Sequence, residues 1–230
     1  MLDAPDRTGE GETSSPAAKA KRRSRRRWWP SIPITVAGVV AIIVTAVAGG
    51  SGCGSGNRTI RDRADGFSVA VPACWQTKPA SALSQGAEKL AGTPLAGDLS
   101  AFNSVKDRFK LIVVDPNTTP HQNAGVGMVP GPLSTVNSDP GLRDTLRQDL
   151  ILGQANSGFV IQPGPLQRMN GMWYFAEREH YPGRVKGLVV RPSVMYNFLA
   201  PNALYFLYVY GTSTSEANTI ARSFKIFAPS

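Results

Sequence analysis

The chain has few of the residues on which enzyme active sites depend. Its 230 residues include two histidines and two cysteines. It contains no G-x-S-x-G elbow, P-loop, H-E-x-x-H motif or dinucleotide-binding glycine pattern. A serine or cysteine nucleophile would have to use one of only two histidines as its base. We therefore expect no catalytic residue, no cofactor and no enzymatic activity.

Neither histidine is well placed to bind a metal ion. His121 lies in the polar sequence Pro-His-Gln, and we expect its side chain to be solvated. His180 follows Glu177 and Glu179 in a predicted strand, where alternate side chains point to opposite faces. The two glutamates would share one face and His180 would lie on the other, so no three-ligand metal site is expected.

The two cysteines, Cys53 and Cys74, allow two arrangements. In an oxidising compartment outside the cytoplasm they would pair as a disulfide. The small residues at 50–52 instead resemble those that precede the modified cysteine of a lipoprotein. Lipidation of Cys53 would leave Cys74 as a buried thiol beside Trp75. Both arrangements remain open at this stage.

What the sequence does have is a strong topological signal near its N-terminus. Basic residues are concentrated at 19–27, two tryptophans follow at 28–29, and no charged residue occurs at 32–48. Lysine and arginine accumulate on the cytoplasmic side of a membrane-spanning segment, and tryptophan favours the membrane interface. This order predicts a cytoplasmic N-terminus and places everything after residue 50 beyond the membrane.

Three outcomes are open for the apolar segment at residues 31–50. Its length is at the short end of the roughly 17–25 residues that a spanning helix needs. It is slightly long for the apolar core of a cleavable signal peptide. The segment is therefore a retained single-pass anchor, a signal cleaved after Ala48, or the leader of a lipoprotein modified at Cys53. All three outcomes place the rest of the chain outside the cytoplasm.

The basic block at 19–27 has nucleic-acid binding as an alternative interpretation. No aromatic or glycine-rich interleaving accompanies the block, and the adjacent apolar segment explains it as a topogenic signal that also attracts anionic lipids. We therefore expect the membrane, together with an envelope protein or a lipid ligand, as partners and no nucleic acid. No motif indicates the oligomeric state.

Composition divides the chain into four parts. Residues 1–30 are predicted to be a disordered, basic cytoplasmic tail, and residues 31–50 the transmembrane helix or signal anchor. Residues 51–60 are rich in glycine and serine and are predicted to be a flexible tether. Residues 61–230 have the size of one extracytoplasmic domain, which is large enough to bury a core without disulfides.

Within this domain, alternating apolar residues and turn signals predict a mainly antiparallel sheet with two longer helices. One helix begins at Asp139-Pro140, an N-cap residue followed by proline. The other begins with the capping box Ser213-x-x-Glu216. Residues 115–138, rich in proline, glycine, asparagine and threonine, are predicted to form a long loop. Strands are predicted at 67–71, 102–105, 109–114, 159–162, 172–179, 185–199 and 204–210, the last covered on both faces, with a short closing strand at 224–227.

The two ends of the domain carry a family resemblance. Asp65–Pro72 followed by Trp75 resembles the opening of PsbP-like domains, and Tyr205–Tyr210 with Ser223–Ile226 resembles their last strand and helix. The nearest relatives by style are LpqN-type lipoproteins and membrane-anchored proteins of the actinobacterial, mycobacterial envelope. The resemblance implies an α+β fold, an α/β/α sandwich with a mainly antiparallel sheet, preceded here by one transmembrane helix. It also implies a non-catalytic domain that binds proteins or lipidic ligands.

The candidate binding residues are aromatic. Trp75 and Trp173 are expected first of all to pack in the core; the alternative, which makes them candidate binding residues, is that they line an apolar groove between sheet and helix where a lipid or partner could insert. Tyr196 and Phe206 belong to a surplus of aromatic side chains and are further candidates. The leading hypothesis is a membrane-tethered, extracytoplasmic binding or scaffold module of the bacterial cell envelope. The alternatives are an envelope hydrolase with residues 115–138 as a lid, and a transmembrane regulator that acts through its basic tail.

Overall fold

A computed structural model of the chain describes residues 56–79, 106–118, 121–154, 159–183 and 190–228. The predictions for the basic tail, for the apolar segment at 31–50, for the strand at 102–105 and for Cys53 lie outside the described residues. Within the described ranges, no helix is long and apolar enough to cross a membrane.

The described residues form strands and helices that we number in chain order. They are β1 (Asn57–Asp62), β2 (Phe67–Pro72), β3 (Gln76–Lys78), β4 (Phe109–Val114), β5 (Asn123–Pro130), α1 (Ser134–Ser138), α2 (Pro140–Gln154), β6 (Val160–Pro163), β7 (Gln167–Met169), β8 (Met172–His180), β9 (Ser193–Leu199), β10 (Ala203–Tyr210), α3 (Thr214–Ser223) and β11 (Lys225–Ile226), with a 3-10 turn at Lys106–Arg108.

The strands form two antiparallel sheets. The larger has the order β3-β4-β5-β10-β9-β8-β6, and β7 pairs with β8 on the same edge as β6. The smaller has the order β1-β2-β11. The mainly antiparallel α+β architecture predicted from the sequence is confirmed. The structure differs from the prediction in having a second sheet, because the strand predicted at 67–71 belongs to the smaller sheet and not to the main sheet.

The main sheet is covered on both faces, and this explains its buried central strand. On one face, Phe224 at the end of α3 lies 4.7 Å from the ring of Phe198 and 6.0 Å from that of Phe67 in the small sheet. On the other face, α2 packs Arg147 towards Phe175 and buries Leu146 and Leu150. All eight residues of β10 are buried. The prediction of a strand covered on both sides is therefore confirmed.

The predicted loop at 115–138 is wrong, because residues 123–130 are strand β5 in the middle of the main sheet. Its glycines allow close packing. The ring of Phe206 lies over Gly127 and that of Phe109 over Gly125, and the two rings meet edge to face at 5.3 Å. Loop-like composition here reflects the need for small residues under aromatic rings. A lid over an active site is therefore excluded for this strand.

Helix α2 begins as predicted, and one of its arginines is buried. The Asp139 carboxylate accepts hydrogen bonds from the backbone N–H groups of Gly141 at 2.8 Å and Leu142 at 3.3 Å. Arg143 is 8% exposed. Its guanidinium donates to the carbonyl of Asn137 and lies over the ring of Trp173. A flat guanidinium on an aromatic face can be buried in this way.

Helix α3 and the short closing strand also form where they were predicted. The Ser213 hydroxyl accepts a hydrogen bond from the backbone N–H of Glu216 at 3.1 Å, which caps the first turn of α3. Ala217, Ile220 and Ala221 are the buried side of the helix. The strand that follows is β11, which pairs with β2 and so joins the C-terminal end to the small sheet.

The folded domain starts earlier than the predicted boundary at residue 61. Strand β1 begins at Asn57 and pairs with β2 along its whole length. The backbone N–H of Ala73 donates to the carbonyl of Gly56 at 2.9 Å, and the Arg58 guanidinium donates to the carbonyl of Trp75 at 2.7 Å. These contacts hold residues 56–60 on the domain, so they are not part of a free tether.

Candidate binding cleft

A cleft of about 250 Å³ opens on the face of the main sheet that carries α3. Its floor is made by β8 and β9, one wall by the segment from Gly164 through β7, and the other wall by α3. We call this the cationic cleft, for the reason given below. Among the residues that the structure describes, it is a hollow bordered by charged and hydrogen-bonding side chains.

The floor follows from the alternation of side chains along a strand. Tyr174, Ala176 and Arg178 are two residues apart on β8 and therefore share one face of the sheet. Tyr196 of β9 is directly opposite Ala176 in the antiparallel register. Because Ala176 is small and its neighbours are large, the surface is hollow at this point. The hollow is the bottom of the cleft.

The walls depend on one glycine and on helical spacing. The backbone N–H of Gly164 donates to the carbonyl of Ala176 at 2.7 Å, and a Cβ on Gly164 would lie 3.0 Å from that oxygen. A side chain here would therefore push the first wall away from the floor. On the second wall, Asn218 and Arg222 are four residues apart and so lie on the same side of α3.

Two tyrosine hydroxyls are held in place at the floor. The Tyr196 hydroxyl donates to Oδ1 of Asn218 at 2.8 Å, and the Tyr174 hydroxyl donates to Oε1 of Gln167 at 2.7 Å. Each tyrosine thus ties the floor to one wall. Burial raises the pKa of Tyr196 to about 12, so this hydroxyl is protonated at neutral pH.

The cleft carries two positive charges from different elements. Arg178 comes from β8 and Arg222 from the last turn of α3, and both side chains reach solvent. Their charges act on the Tyr196 hydroxyl and partly oppose the effect of burial on its pKa. No aspartate or glutamate is among the described residues that line the cleft. The cleft is therefore cationic.

The position of Arg222 is fixed by a turn on the neighbouring hairpin. Asn170, between β7 and β8, has a positive φ of 52° and is followed by Gly171 with a φ of 81°. Its side-chain amide donates to the carbonyl of Arg222 at 3.0 Å and to that of Phe224 at 2.7 Å. These are carbonyls at the end of α3, which otherwise lack helical partners. Asn170 is thus a positioning residue for the second wall.

The four predicted aromatic residues do not lie together. Tyr196 is in the floor of the cleft, with its ring buried. Trp173 and Phe206 lie on the opposite face of the sheet, where Phe206 packs on Phe109. Trp75 is 2% exposed in the core beneath the small sheet. A binding role for these residues stays a prediction; of the four, Tyr196 borders the cleft.

Trp173 makes cation–π contacts with two arginines. Its ring lies between two guanidinium groups, those of Arg143 at 4.3 Å and Arg168 at 4.7 Å from the ring centroid. Such stacking stabilises by about 0.5–1 kcal/mol at exposed sites and more when desolvated. The side chain is half-buried. This arrangement packs α2 onto the β7–β8 hairpin.

Two buried carboxyl groups lie on the face opposite the cleft. Glu177 and Glu179 are 0% and 1% exposed, and they share one face of β8 as predicted. The Ser193 hydroxyl donates to Oε2 of Glu179 at 3.1 Å. Burial, and then the charge of Glu177, raises the pKa of Glu179 well above its ordinary value. Glu179 is thus held towards its neutral form.

The two histidines lie in different environments. His121 is 6% exposed and is therefore not solvated as expected; it lies two residues before Asn123, where the central strand β5 begins. His180 is exposed at the end of β8. Among the described residues, no group of three histidine, cysteine, aspartate or glutamate side chains could hold a metal ion.

Cys74 is disulfide-bonded. Cys53 is the other cysteine of the sequence, and its pairing with Cys74 stays a prediction.

Most residues of the cleft were missed by sequence reasoning. Asn170-Gly171 is a two-residue hairpin signal that could have identified the β7–β8 turn. Asn218 and Arg222 follow the capping box at helical spacing, which indicates a shared side of the helix but not what that side contacts. Nothing in the sequence joins Arg222 to Arg178, which is on a strand far away in the chain.

Comparisons with known proteins give a distant structural similarity and no sequence relative. No protein-family model matches the chain, and no curated protein matches it. The solution structure of cyanobacterial PsbP (CyanoP) from Synechocystis sp. PCC 6803 is similar with a TM-score of 0.46. It is 15% identical, and the match covers 77% of this chain and 98% of that one.

A second similar structure is a crystal structure from Bacteroides thetaiotaomicron VPI-5482 at 1.50 Å resolution. It is 13% identical with a TM-score of 0.40, and the match covers 73% of this chain and 47% of that one. At these TM-scores neither similarity carries an argument about this chain. The function is therefore argued from the cleft.

Proposed function

We propose that the chain is a single-pass, extracytoplasmic binding module of a bacterial envelope. Its domain captures one group of a partner protein or a lipidic ligand in the cationic cleft, without catalysis. The observation that carries this proposal is the hollow at Ala176, bordered by two arginines and by two hydrogen-bonded tyrosines. The order of basic, tryptophan-containing and apolar segments at residues 19–50 supports the tethering.

The lining of the cleft favours binding over catalysis. Of its described side chains, none is a histidine, serine, cysteine or carboxylate that could serve as nucleophile or general base. Tyr196, with a pKa of about 12, keeps its proton at neutral pH. The polar groups that remain can hold and orient a ligand, but they cannot take a proton from it.

The size of the cleft indicates what enters it. Pockets for drug-sized ligands have volumes of roughly 300–1,000 Å³, and the cleft has about 250 Å³. It can therefore hold a headgroup or one side chain of a partner, whereas the rest of a lipid or protein must lie outside it.

The test of this proposal fills the cleft. The full-length chain is purified from membranes in a mild detergent, and the lipids and proteins that accompany it are quantified by mass spectrometry. Ala176→Phe places a ring in the hollow, and Thr219→Phe adds the same ring at an exposed position of α3. We expect the specific companion to be lost with Ala176→Phe and kept with Thr219→Phe. Equal recovery with both variants would refute a role for the cleft.

The tethering is tested separately with topology reporters. Alkaline phosphatase, which is active only outside the cytoplasm, is fused after residue 30 and after residue 60. We expect activity from the second fusion alone. Activity from the first fusion, or from neither, would contradict the proposed orientation.

A further inference from the structure

We infer that the group recognised by the cationic cleft is a phosphate, held between the guanidinium groups of Arg178 and Arg222. The inference rests on the proposed function and names the ligand chemistry of the same site. A phosphate can come from a phospholipid headgroup or from a free phosphate compound, and the experiment below separates these sources.

The first support is the convergence of two charges from separate elements. Arg178 is fixed to the sheet, whereas Arg222 is on α3, and both border one cavity of about 250 Å³. Within the described residues, neither has a carboxylate partner within ion-pair distance. The potential of both charges reaches the Tyr196 hydroxyl at the floor. Such a pair attracts an anion, and the absence of acidic lining leaves the attraction unopposed among these residues.

A second support is that three buried or half-buried arginines of the domain have internal roles. Arg143 lies over Trp173 and bonds a backbone carbonyl. Arg147 donates to the carbonyl of Gly164 at 3.0 Å. Arg58 donates to the carbonyl of Trp75. Arg178 and Arg222 are exposed and make no such side-chain contact within the described residues, so their donors are available to a ligand in the cleft.

A third support comes from the hydrogen-bond directions at the floor. The Tyr196 hydroxyl donates to Oδ1 of Asn218, and the Nδ2 donors of Asn218 remain available. In the same way, the Tyr174 hydroxyl donates to Oε1 of Gln167, and the Nε2 donors of Gln167 remain available. Each amide oxygen already accepts one hydrogen bond, whereas the amide nitrogens and the two guanidinium groups provide only donors. An oxyanion accepts from these donors and is attracted by the two positive charges.

The geometry of the donors favours phosphate over carboxylate. A guanidinium is a planar fork that bonds two oxygens at once. Arg178 borders the cleft from its floor and Arg222 from a wall, and a phosphate, which has more oxygens than a carboxylate, can accept from the two guanidinium groups through separate oxygens. The small volume also agrees with a headgroup whose remaining part extends out of the cleft.

The experiment measures phosphate binding by the full-length chain in a non-ionic detergent. Isothermal titration uses inorganic phosphate, a water-soluble short-chain phosphatidylglycerol, and acetate as the carboxylate control. We expect saturable binding of phosphate or the phospholipid and at least about ten-fold weaker binding of acetate, since charge-assisted bonds are lost. Tighter binding of the phospholipid than of phosphate assigns the source to a lipid headgroup, and equal binding assigns it to free phosphate.

Variants connect the binding to the two arginines. Arg178→Gln and Arg222→Gln should each weaken phosphate binding by about ten-fold or more. Arg178→Lys and Arg222→Lys keep the charge but lose the fork and should have intermediate affinities. Arg168→Gln is the matched control, because it removes the same charge from the opposite side of β7, where the guanidinium lies on Trp173. Its affinity should stay within about two-fold of the wild type.

Several results would overturn the inference. They are an absence of saturable phosphate binding by the wild type, an unchanged affinity in both glutamine variants, or an equal loss with Arg168→Gln. Because Arg178 and Arg222 are exposed, their variants should keep the wild-type melting temperature. If a glutamine variant is destabilised, the lysine variant at the same position provides a second measurement of the affinity. If Ala176→Phe still loses the companion while phosphate does not bind, the binding function stands and the phosphate inference alone fails.

Discussion

Tyr196 donates a hydrogen bond to Oδ1 of Asn218 at 2.8 Å, and this contact joins β9 to α3 at the floor of the cationic cleft. The ring of Tyr196 is 1% exposed, so the hydroxyl has few other partners available. The same contact thus stabilises the packing of the helix on the sheet and orients the amide that borders the cleft.

We expect this pair to be energetically coupled. In a double-mutant cycle with Tyr196→Phe and Asn218→Ala, the coupling free energy from urea unfolding should be about 0.5–1.5 kcal/mol. Tyr174→Phe with Asn218→Ala is the control cycle, since Tyr174 bonds Gln167 instead, and it should be nearly additive. A coupling of zero between Tyr196 and Asn218 would contradict the hydrogen bond.

The β7–β8 turn should contribute both to stability and to the cleft. Asn170→Ala removes two hydrogen bonds to the end of α3 and places alanine at a φ of 52°. We expect the free energy of unfolding to fall by about 1–3 kcal/mol. Asn170→Gly tolerates the positive φ but lacks the amide, so its loss should be smaller. Both variants should also weaken phosphate binding, because Arg222 is no longer held; unchanged affinity in both would argue against the positioning role.

Glu179 should make the stability depend on pH. Its folded-state pKa is raised by burial above the unfolded value of about 4.3. The unfolding free energy should therefore be highest below the unfolded pKa and should fall as pH rises through the folded pKa, by at most about 1.4 kcal/mol per pH unit. Glu179→Gln should remove this fall.

The check is chemical denaturation of wild type and variant between pH 4 and 8. Glu179→Gln should gain stability over the wild type as pH rises, and Asp144→Asn, at an exposed position of α2, corrects for the change in net charge. A difference between Glu179→Gln and the wild type that does not change with pH would show that Glu179 is not held neutral by the fold.

Gly127 should tolerate no side chain while Phe206 is present. A Cβ on Gly127 would overlap the Phe206 ring, whereas a Cβ on Gly131 would meet nothing within 4 Å. We expect Gly127→Ala to destabilise the protein by about 1–3 kcal/mol and Gly131→Ala to be neutral or slightly stabilising. Phe206→Leu should reduce the effect of Gly127→Ala. Equal effects of the two glycine variants would contradict this packing.

The disulfide of Cys74 gives a prediction about Cys53, which follows the apolar segment at residues 31–50. Cys53 is the other cysteine of the sequence, so we expect intact mass spectrometry of the mature chain to show a Cys53–Cys74 bond and no lipid on Cys53. Cys74→Ser should lower the free energy of unfolding by about 3 kcal/mol. A diacylglyceryl group on Cys53 would disprove the pairing.

Sequence patterns gave correct predictions where the contacts behind them join residues that are close in the chain. Asp139 and Ser213 cap α2 and α3 because each bonds backbone groups within three residues. The residues of β10 are apolar at consecutive positions, so the side chains on both faces of the strand need apolar neighbours. This pattern predicted that both faces are covered, and all eight residues of β10 are buried. The Asn170-Gly171 turn was available in the same way and was missed.

Other features depend on contacts that no local pattern contains. The composition of residues 115–138 is that of a loop, and yet Gly125 and Gly127 are strand residues because aromatic rings from β4 and β10 occupy the space above them. Arg143 is buried because Trp173 happens to lie beneath it. His121 is buried although its neighbours in the sequence are polar, and it lies two residues before the central strand β5.

The sequence by itself determined the helix starts, the mainly antiparallel sheet and the strand buried on both faces, because capping bonds and side-chain alternation act between residues that are close in the chain. Only the tertiary structure decided that a cationic cleft exists. Arg178 and Arg222 are on a strand and a helix well separated in the chain, and they border one hollow because α3 packs beside β8 and β9 over a small alanine.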